Sequence, residues 1–206
     1  RGTQGRHFYS PSGSGLYMSI AWHSGLHADG LPPVTDAAAV AVRFAVGYVL
    51  GQRADIKWVN DVLVDGKKVC GILAECSERS DGADIVIGIG INLTPPEGGF
   101  PPELGGAGAL CSHMEPEVAE ELAASVIAEL CALLDGGGAD EIMSRYREGC
   151  CSIGGKLRLR RDGGAVEYTA LDIGDNGELI VESPDGERLT VISAAEVCRP
   201  AEREIY

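Results

Sequence analysis

Residues 85–93 read Ile-Val-Ile-Gly-Ile-Gly-Ile-Asn-Leu, an apolar run broken only by Gly88, Gly90 and Asn92. Apolar residues at both parities of a strand require cover on both faces, so this run predicts a central strand inside a sheet. Glycine within a strand marks a bulge or the close approach of a ligand. A bulkier side chain at Gly88 or Gly90 would fill space that a flat ligand could occupy, and Asn92 could hydrogen-bond to that ligand. The plainer alternative is two packing glycines and a strand-end asparagine. A dinucleotide fingerprint would need a third glycine and a following helix, and neither is present.

The flanking sequence supplies partners for this strand. Leu16 to Trp22 is apolar and aromatic, which predicts a strand. Ile56 to Cys76 predicts a β-hairpin turning at Asp65-Gly66, with Asn60 and Asp61 interrupting its first arm. Residues 35–50 predict a helix capped by Thr35 or Asp36 and stopped by Gly51. Residues 117–134 predict an amphipathic helix, with Val118, Leu122, Val126, Leu130 and Leu133 or Leu134 along one side, and 139–149 a shorter one. Segments 1–15, 23–34, 77–84 and 94–115 read as loops. After Gly154-Gly155 the pattern changes to four short strands, at 156–161, 166–173, 179–182 and 188–193, which predicts a small barrel. The expected architecture is α+β: a mixed, largely antiparallel sheet with helices on one face, then a small SH3-like β-barrel. The expected boundary lies near residue 152, giving units 1–152 and 153–206.

Composition removes several function classes. The chain has 206 residues, with 17 Lys+Arg against 31 Asp+Glu and a net charge of −14. That charge argues against a general nucleic-acid binder and against docking on an anionic membrane. No apolar stretch approaches the roughly 20 residues of a membrane helix, and no signal peptide is expected. The seven cysteines at 70, 76, 111, 131, 150, 151 and 198 form no C-x-x-C pair. Reduced thiols in a cytoplasm are expected, and zinc is not. The sequence opens at Arg1 within a glycine-rich stretch, which predicts a loop whose natural chain continues upstream.

Three clusters could carry chemistry. Arg1 to Arg6 is a glycine-rich loop with an arginine at each end, and exposed N–H groups there could cradle an anion. Lys57-Trp58-Val59-Asn60-Asp61 faces Lys67 and Lys68 across the hairpin, which is unusual charge for a core element, and lysine suits phosphate or carboxylate. Gly88 to Asn92 is the third. The plain alternatives are a surface loop, a solvated hairpin end and packing glycines. Lys156, Arg158 and Arg160 alternate with leucines and share one strand face. That face is either solvated or a dock for an acidic partner.

Taken in order, these segments resemble the biotin protein ligases. That family carries Gly-Arg-Gly-Arg-x-Gly-Arg, and this chain has Arg1-Gly2-Thr3-Gln4-Gly5-Arg6, then Phe8-Tyr9-Ser10-Pro11 and Leu16-Tyr17-Met18-Ser19. The family's Lys-Trp-Pro-Asn-Asp is Lys57 to Asp61 here. Its Gly-x-Lys-x-x-Gly-Ile-Leu-x-Glu is Gly66 to Glu75, and its Gly-x-Gly-x-Asn is Gly88 to Asn92. The resemblance implies a two-step reaction, in which biotin and ATP give biotinyl-5′-adenylate and a lysine of a biotin carboxyl carrier protein then takes the biotin. It implies catalytic roles for Lys68, Arg6 and Lys57. It implies biotin contacts from Arg1, Gly2, Thr3, Lys68, Gly71, Ile72 and Leu73. Adenylate contacts fall to Arg1, Thr3, Arg6, Phe8, Asn60, Asp61, Gly90 and Asn92, with Asp61 beside a Mg²⁺ that accompanies ATP. A homodimer through a sheet edge is possible.

Two positions depart from the family pattern. Val59 replaces proline and, as a strand former, should matter little. Thr3 replaces an arginine, which predicts faster leakage of free intermediate than from Thr3→Arg. The family's upstream strand and helix, with a Ser/Thr-Thr-Asn biotin contact, would precede Arg1, as would any DNA-binding domain. The alternatives are a related lipoate or octanoate ligase or transferase, and a non-catalytic protein that binds biotin or the acceptor.

Overall fold

The computed structural model describes residues 9–161 and 164–198. Two five-stranded sheets and three helices carry the fold. The first sheet is built from β1 (Gly15–Ser24), β2 (Asp55–Lys57), β3 (Asp61–Val64), β4 (Lys67–Arg79) and β5 (Gly82–Asn92), in the order β1-β5-β4-β3-β2. The apolar run of β5 is paired on both sides, as its composition requires. All strand pairs among the described residues are antiparallel, and the only parallel links are single bridges, Ile56 with Cys150 and Lys68 with Ala107. The expectation of a mixed sheet is therefore corrected to an antiparallel one.

Alternation along β5 divides the sheet into two faces. Ile85, Ile87, Ile89 and Ile91 point to the helices and are each 2% exposed or less. Against them pack α1 (Val34–Leu50) and, through it, α2 (Pro116–Asp135), whose Leu122, Val126, Leu130 and Leu133 form the expected stripe. α1 ends where Gly51 adopts φ 64° and its N–H reaches the Gly47 carbonyl at 3.0 Å, a conformation that costs glycine little. Its start differs from expectation. Pro33 is the N-cap, no side chain caps the helix, and Asp36 is buried instead.

Two further differences concern the hairpins. Residues 77–84 are not a loop. β4 and β5 run on and turn tightly at 80–81, because the polar residues there find partners: Arg79 and His23 pair with Asp84 across strands, and Glu78 pairs with His27 of the segment after β1. The first arm of the 56–76 hairpin is also split. Trp58, Val59 and Asn60 form a turn between β2 and β3, so Val59 is not in a strand.

The second sheet holds β6 (Lys156–Arg161), β7 (Gly164–Ile173), β8 (Leu179–Glu182), β9 (Arg188–Val191) and β10 (Val197–Cys198), ordered β10-β6-β7-β8-β9. Among the described residues it is not closed into the expected barrel, since β10 and β9 both remain edges. It is tied to the first sheet through its β7–β8 turn. The Trp58 indole N–H donates to the Gly177 carbonyl at 2.8 Å. Arg147 of α3 (Ala139–Gly149) donates to the Ile173 carbonyl at 2.6 Å and to Asp175. No described helix is long and apolar enough to cross a membrane.

Candidate functional site

The face of the sheet turned away from the helices holds a cavity of about 500 Å³, within the size range of small-molecule sites. Its floor follows directly from the strand register. Gly90 faces Tyr17 on one side and Gly71 on the other, while Gly88 faces Ser19 and Leu73. Three glycines in two adjacent strands leave the floor low, as the pattern in the sequence implied. Gly88 could carry a Cβ with only an ordinary contact, 3.6 Å from the Leu73 carbonyl oxygen, so its smallness keeps the cavity open rather than relieving a clash.

Lys68 reaches this face through a bulge. Asp61 pairs with Gly71 and Val62 with Cys70, but Leu63 then pairs with Lys68, leaving Val69 as an extra residue. A bulge shifts alternation by one and re-aims what lies beyond it. Val69 and Cys70 both turn inward, 0% and 1% exposed. Lys68 is thereby placed on the same side as Asp61, and the two side chains form an ion pair at the cavity edge. Burial pushes the Cys70 thiol well above its ordinary range, with Lys68 opposing that shift less strongly. Cys70 is therefore a packing residue rather than a nucleophile.

Asn60 is fixed from the opposite side. Its side-chain amide donates to the Ile72 carbonyl at 2.6 Å, and its main-chain carbonyl accepts from the Ile72 N–H at 3.1 Å. The turn that carries it is pinned by the Tyr146 hydroxyl, which donates to the Val59 carbonyl at 2.9 Å, and by the Trp58 N–H, which donates to Ser152 Oγ at 3.0 Å. Asn92 lines the cavity, and its amide donates to the Gly108 carbonyl at 2.9 Å. It holds a loop as well as facing the ligand space.

The structure thus brings Lys68, Gly71, Ile72, Leu73, Asn60, Gly90 and Asn92 to one cavity, with Asp61 paired at its rim. Lys57 lies on edge strand β2 opposite Asp61, exposed and outside the cavity lining. Arg1, Gly2, Thr3, Arg6 and Phe8 lie outside the described residues. Sequence reasoning missed Tyr17, Phe100 and Leu104 as lining residues. Tyr17 was legible from parity, since it alternates with Leu16 and Met18, which pack inward. Phe100 and Leu104 sit in a Pro/Gly-rich stretch with no periodicity to read. Burial of the Tyr17 phenol raises its pKa, and a hydrogen bond with Ser14 opposes this.

Elsewhere, the Lys156–Arg160 face is partly neutralised within its own sheet. Lys156 pairs with Glu167 at 2.7 Å, and Arg158 reaches the Ala165 carbonyl at 3.4 Å. Cys70, Cys76, Cys111, Cys131, Cys150 and Cys151 are free thiols. Among the described residues no three His, Cys, Asp or Glu gather as a metal site.

Comparison with known proteins places this geometry. The profile of the Biotin/lipoate A/B protein ligase family matches residues 1–92. The biotin--[acetyl-CoA-carboxylase] ligase of Paracoccus denitrificans is 33% identical over 207 aligned positions, covering 96% of this chain and 85% of that protein. The bifunctional ligase/repressor BirA of Bacillus spizizenii is 31% identical over 194 positions, covering 90% of this chain. The chain spans 59% of the length of that relative. The biotin protein ligase from Aquifex aeolicus in complex with biotin and ATP superposes with a TM-score of 0.74 at 22% identity, covering 96% of this chain and 83% of that one.

Proposed function

Because this chain belongs to the biotin/lipoate A/B protein ligase family, we propose that it is an ATP-dependent biotin protein ligase. Biotin's carboxylate oxygen attacks the α-phosphorus of ATP, and pyrophosphate leaves with the bridging oxygen. A lysine amine of a biotin carboxyl carrier protein then attacks the acyl carbon of biotinyl-5′-adenylate, and AMP leaves. What carries the reading is the placement of Lys68 beside a glycine-floored cavity, aimed there by the bulge at Val69.

The first step brings two anions together, and a fixed positive charge offsets their repulsion without reorganisation. Lys68 supplies that charge once it exchanges its Asp61 partner for the carboxylate and phosphate. Gly71, Gly88 and Gly90 let the flat biotin rings approach the sheet, and Leu73 with the main chain at Ile72 lines them. Asn60 and Asn92 border the adenylate space, and the resemblance assigns further adenylate contacts to Arg1, Thr3, Arg6 and Phe8. Mg²⁺ carried on nucleotide phosphates needs only one or two protein carboxylates, and Asp61 fits that part. When bound, the ion would offset phosphate charge. Lys57, exposed on β2 outside the cavity lining, acts by long-range attraction for ATP.

The finer parts of this reading rest on the resemblance. The second sheet corresponds to an SH3-like C-terminal unit, 153–206, beside a catalytic unit, 1–152. The acceptor is the carrier protein of an acyl-CoA carboxylase, met in a reducing cytoplasm, and the Lys156–Arg160 face is its docking site. A homodimer would form through a free sheet edge.

The test is incubation of the chain with biotin, Mg²⁺ and α-labelled ATP, with a lipoate arm and a Lys68→Ala control. Adenylate that requires biotin and Lys68, and that lipoate does not yield, is the expected result. Adenylate formed from lipoate alone would move the chain to the lipoate branch of the family. Biotin binding without adenylate would make it a binding protein.

A further inference from the structure

β5 ends at Asn92, so β4 loses its ladder partner on that side after the Cys70–Ile91 pair. Lys68 lies just past this point. The chain leaves β5, loops out through Phe100 and Leu104, and returns to fill the vacant position with residues 106–108. The Lys68 N–H donates to the Gly106 carbonyl at 2.8 Å, and the Gly108 N–H donates to the Lys68 carbonyl at 2.8 Å. Ala107 is thus a one-residue parallel strand against Lys68. The returning segment is itself held by the Asn92 amide on the Gly108 carbonyl, and by the Gln52 amide on the Leu110 carbonyl at 3.0 Å.

Gly108 is the tight point of this contact. It is buried, and an added Cβ would sit 2.6 Å from Lys67 Cβ. That atom is fixed to the main chain next to Lys68 and cannot swing away as a side-chain tip would. Gly108 does not have a positive φ, so its smallness serves this close approach rather than a left-handed turn.

We propose that residues 106–108 are a positioning splint for Lys68, and that Gly108 is the residue that lets it seat. The proposal deepens the ligase reading and rests on Lys68 as the reacting charge. The loop that lines the cavity with Phe100 and Leu104 is continuous with the splint, so the main-chain position of Lys68 and the cavity wall are set together. Misplacement of a reacting group by about 1 Å costs about a hundredfold in rate, and the Gly108 clash is of comparable size.

The chain has four lysines, at 57, 67, 68 and 156, so reductive methylation with labelled formaldehyde gives a short, resolvable set of amine signals by NMR. In Gly108→Ala the Lys68 signal should move while those of Lys57 and Lys156 stay. Lys67→Gly in the same chain removes the opposing Cβ and should return the signal to its place. Gln52→Leu, which frees the far end of the splint, should move it less and in the same direction. Adenylate formation at saturating biotin and ATP should fall about tenfold or more in Gly108→Ala, and less than about threefold when Lys67→Gly is already present. A Lys68 signal that stays put in both Gly108→Ala and Gln52→Leu overturns the proposal. So does one that moves together with Lys57 and Lys156, or a loss that Lys67→Gly does not relieve. A wild-type chain that makes no adenylate overturns the ligase reading instead, and the Lys68 signal still decides the splint.

Discussion

The two faces of β5 are one sequence put to opposite uses. Toward the helices it presents Ile85, Ile87, Ile89 and Ile91, all buried. Toward the cavity it presents Val86, Gly88, Gly90 and Asn92, of which Val86 is 45% exposed. The same division runs through β4, with Cys70, Ile72 and Ala74 against Gly71, Leu73 and Glu75. One side of the sheet holds the molecule together by excluding water. The other is kept low and open so that something else can exclude water there. Stability and binding should therefore respond to mutation almost independently across a single strand.

The largest effect belongs to the helix face. Ile87 is 0% exposed and lies between Ile20 and Ala74 in register. Ile87→Ala should cost about 3–4 kcal/mol from lost burial and the cavity left behind, read as a drop in urea midpoint. Biotin affinity of the chains that remain folded should hardly change. A large loss of affinity with little loss of stability would erase the distinction between the faces.

Much of this division was legible because it is written in alternation. The isoleucines at one parity and glycines at the other predicted both a covered strand and a ligand-side face, and Gly51 closed α1 where a left-handed residue was required. What escaped was what depends on pairing. No glycine or proline marks the bulge at Val69, so sequence alone could not separate Lys68, which it turns into the site, from Lys57, which stays outside. The polar run at 77–84 reads as loop until His23, Arg79 and Asp84 are seen to pair across strands. Asp36 looks like a helix cap by local rule, yet the chain before it continues the helix and carries it inward. The open second sheet, with β10 added at its edge, needed tertiary partners that spacing does not reveal. The segment Arg1 to Phe8 reads as a glycine-rich loop from its composition, takes its particular site roles only from the resemblance, and lies outside the described residues.

Asp36 is the exception on the dry side and gives the next largest effect. It is 6% exposed, its Oδ1 has no hydrogen-bond partner, and its other oxygen lies 2.8 Å from where a Cβ on Gly177 would stand, at the junction with the second sheet. Burial raises its pKa from 3.8 to about 7, opposed only by its own backbone N–H. The folded state therefore keeps a proton that the unfolded state has lost, between about pH 4 and pH 7. In that window the native chain binds more protons, so stability falls as pH rises and levels off above the folded pKa. From pH 5 to pH 8 the loss attributable to Asp36 is on the order of 2–3 kcal/mol. Asp36→Asn should remove it. The difference between the two chains in urea midpoint, taken at each pH, cancels groups they share, such as His27 with Glu78. A constant difference across that range would mean the carboxyl is ionised in the fold and partnered in a way the burial does not indicate.

The smallest effect on stability is the sharpest test of the comparison. Gly88 is one residue from Ile87 and on the opposite face. A side chain there meets only the Leu73 carbonyl oxygen, at 3.6 Å from its Cβ, and projects into the cavity beside Ser19 and Leu73. Valine suits an extended backbone better than glycine and loses less conformational freedom on folding. Gly88→Val should therefore leave stability within about 1 kcal/mol of wild type, or raise it slightly. The same two methyl groups occupy the floor over which the biotin rings would lie. Affinity for biotin, measured by calorimetry, should fall about tenfold or more, equivalent to at least about 1.4 kcal/mol. Ile87→Ala and Gly88→Val would then be a reciprocal pair, one removing stability and sparing binding, the other removing binding and sparing stability. If Gly88→Val binds biotin as wild type does, the glycines at 88 and 90 pack the sheet and do not shape its ligand, and the cavity's floor must be sought closer to Lys68.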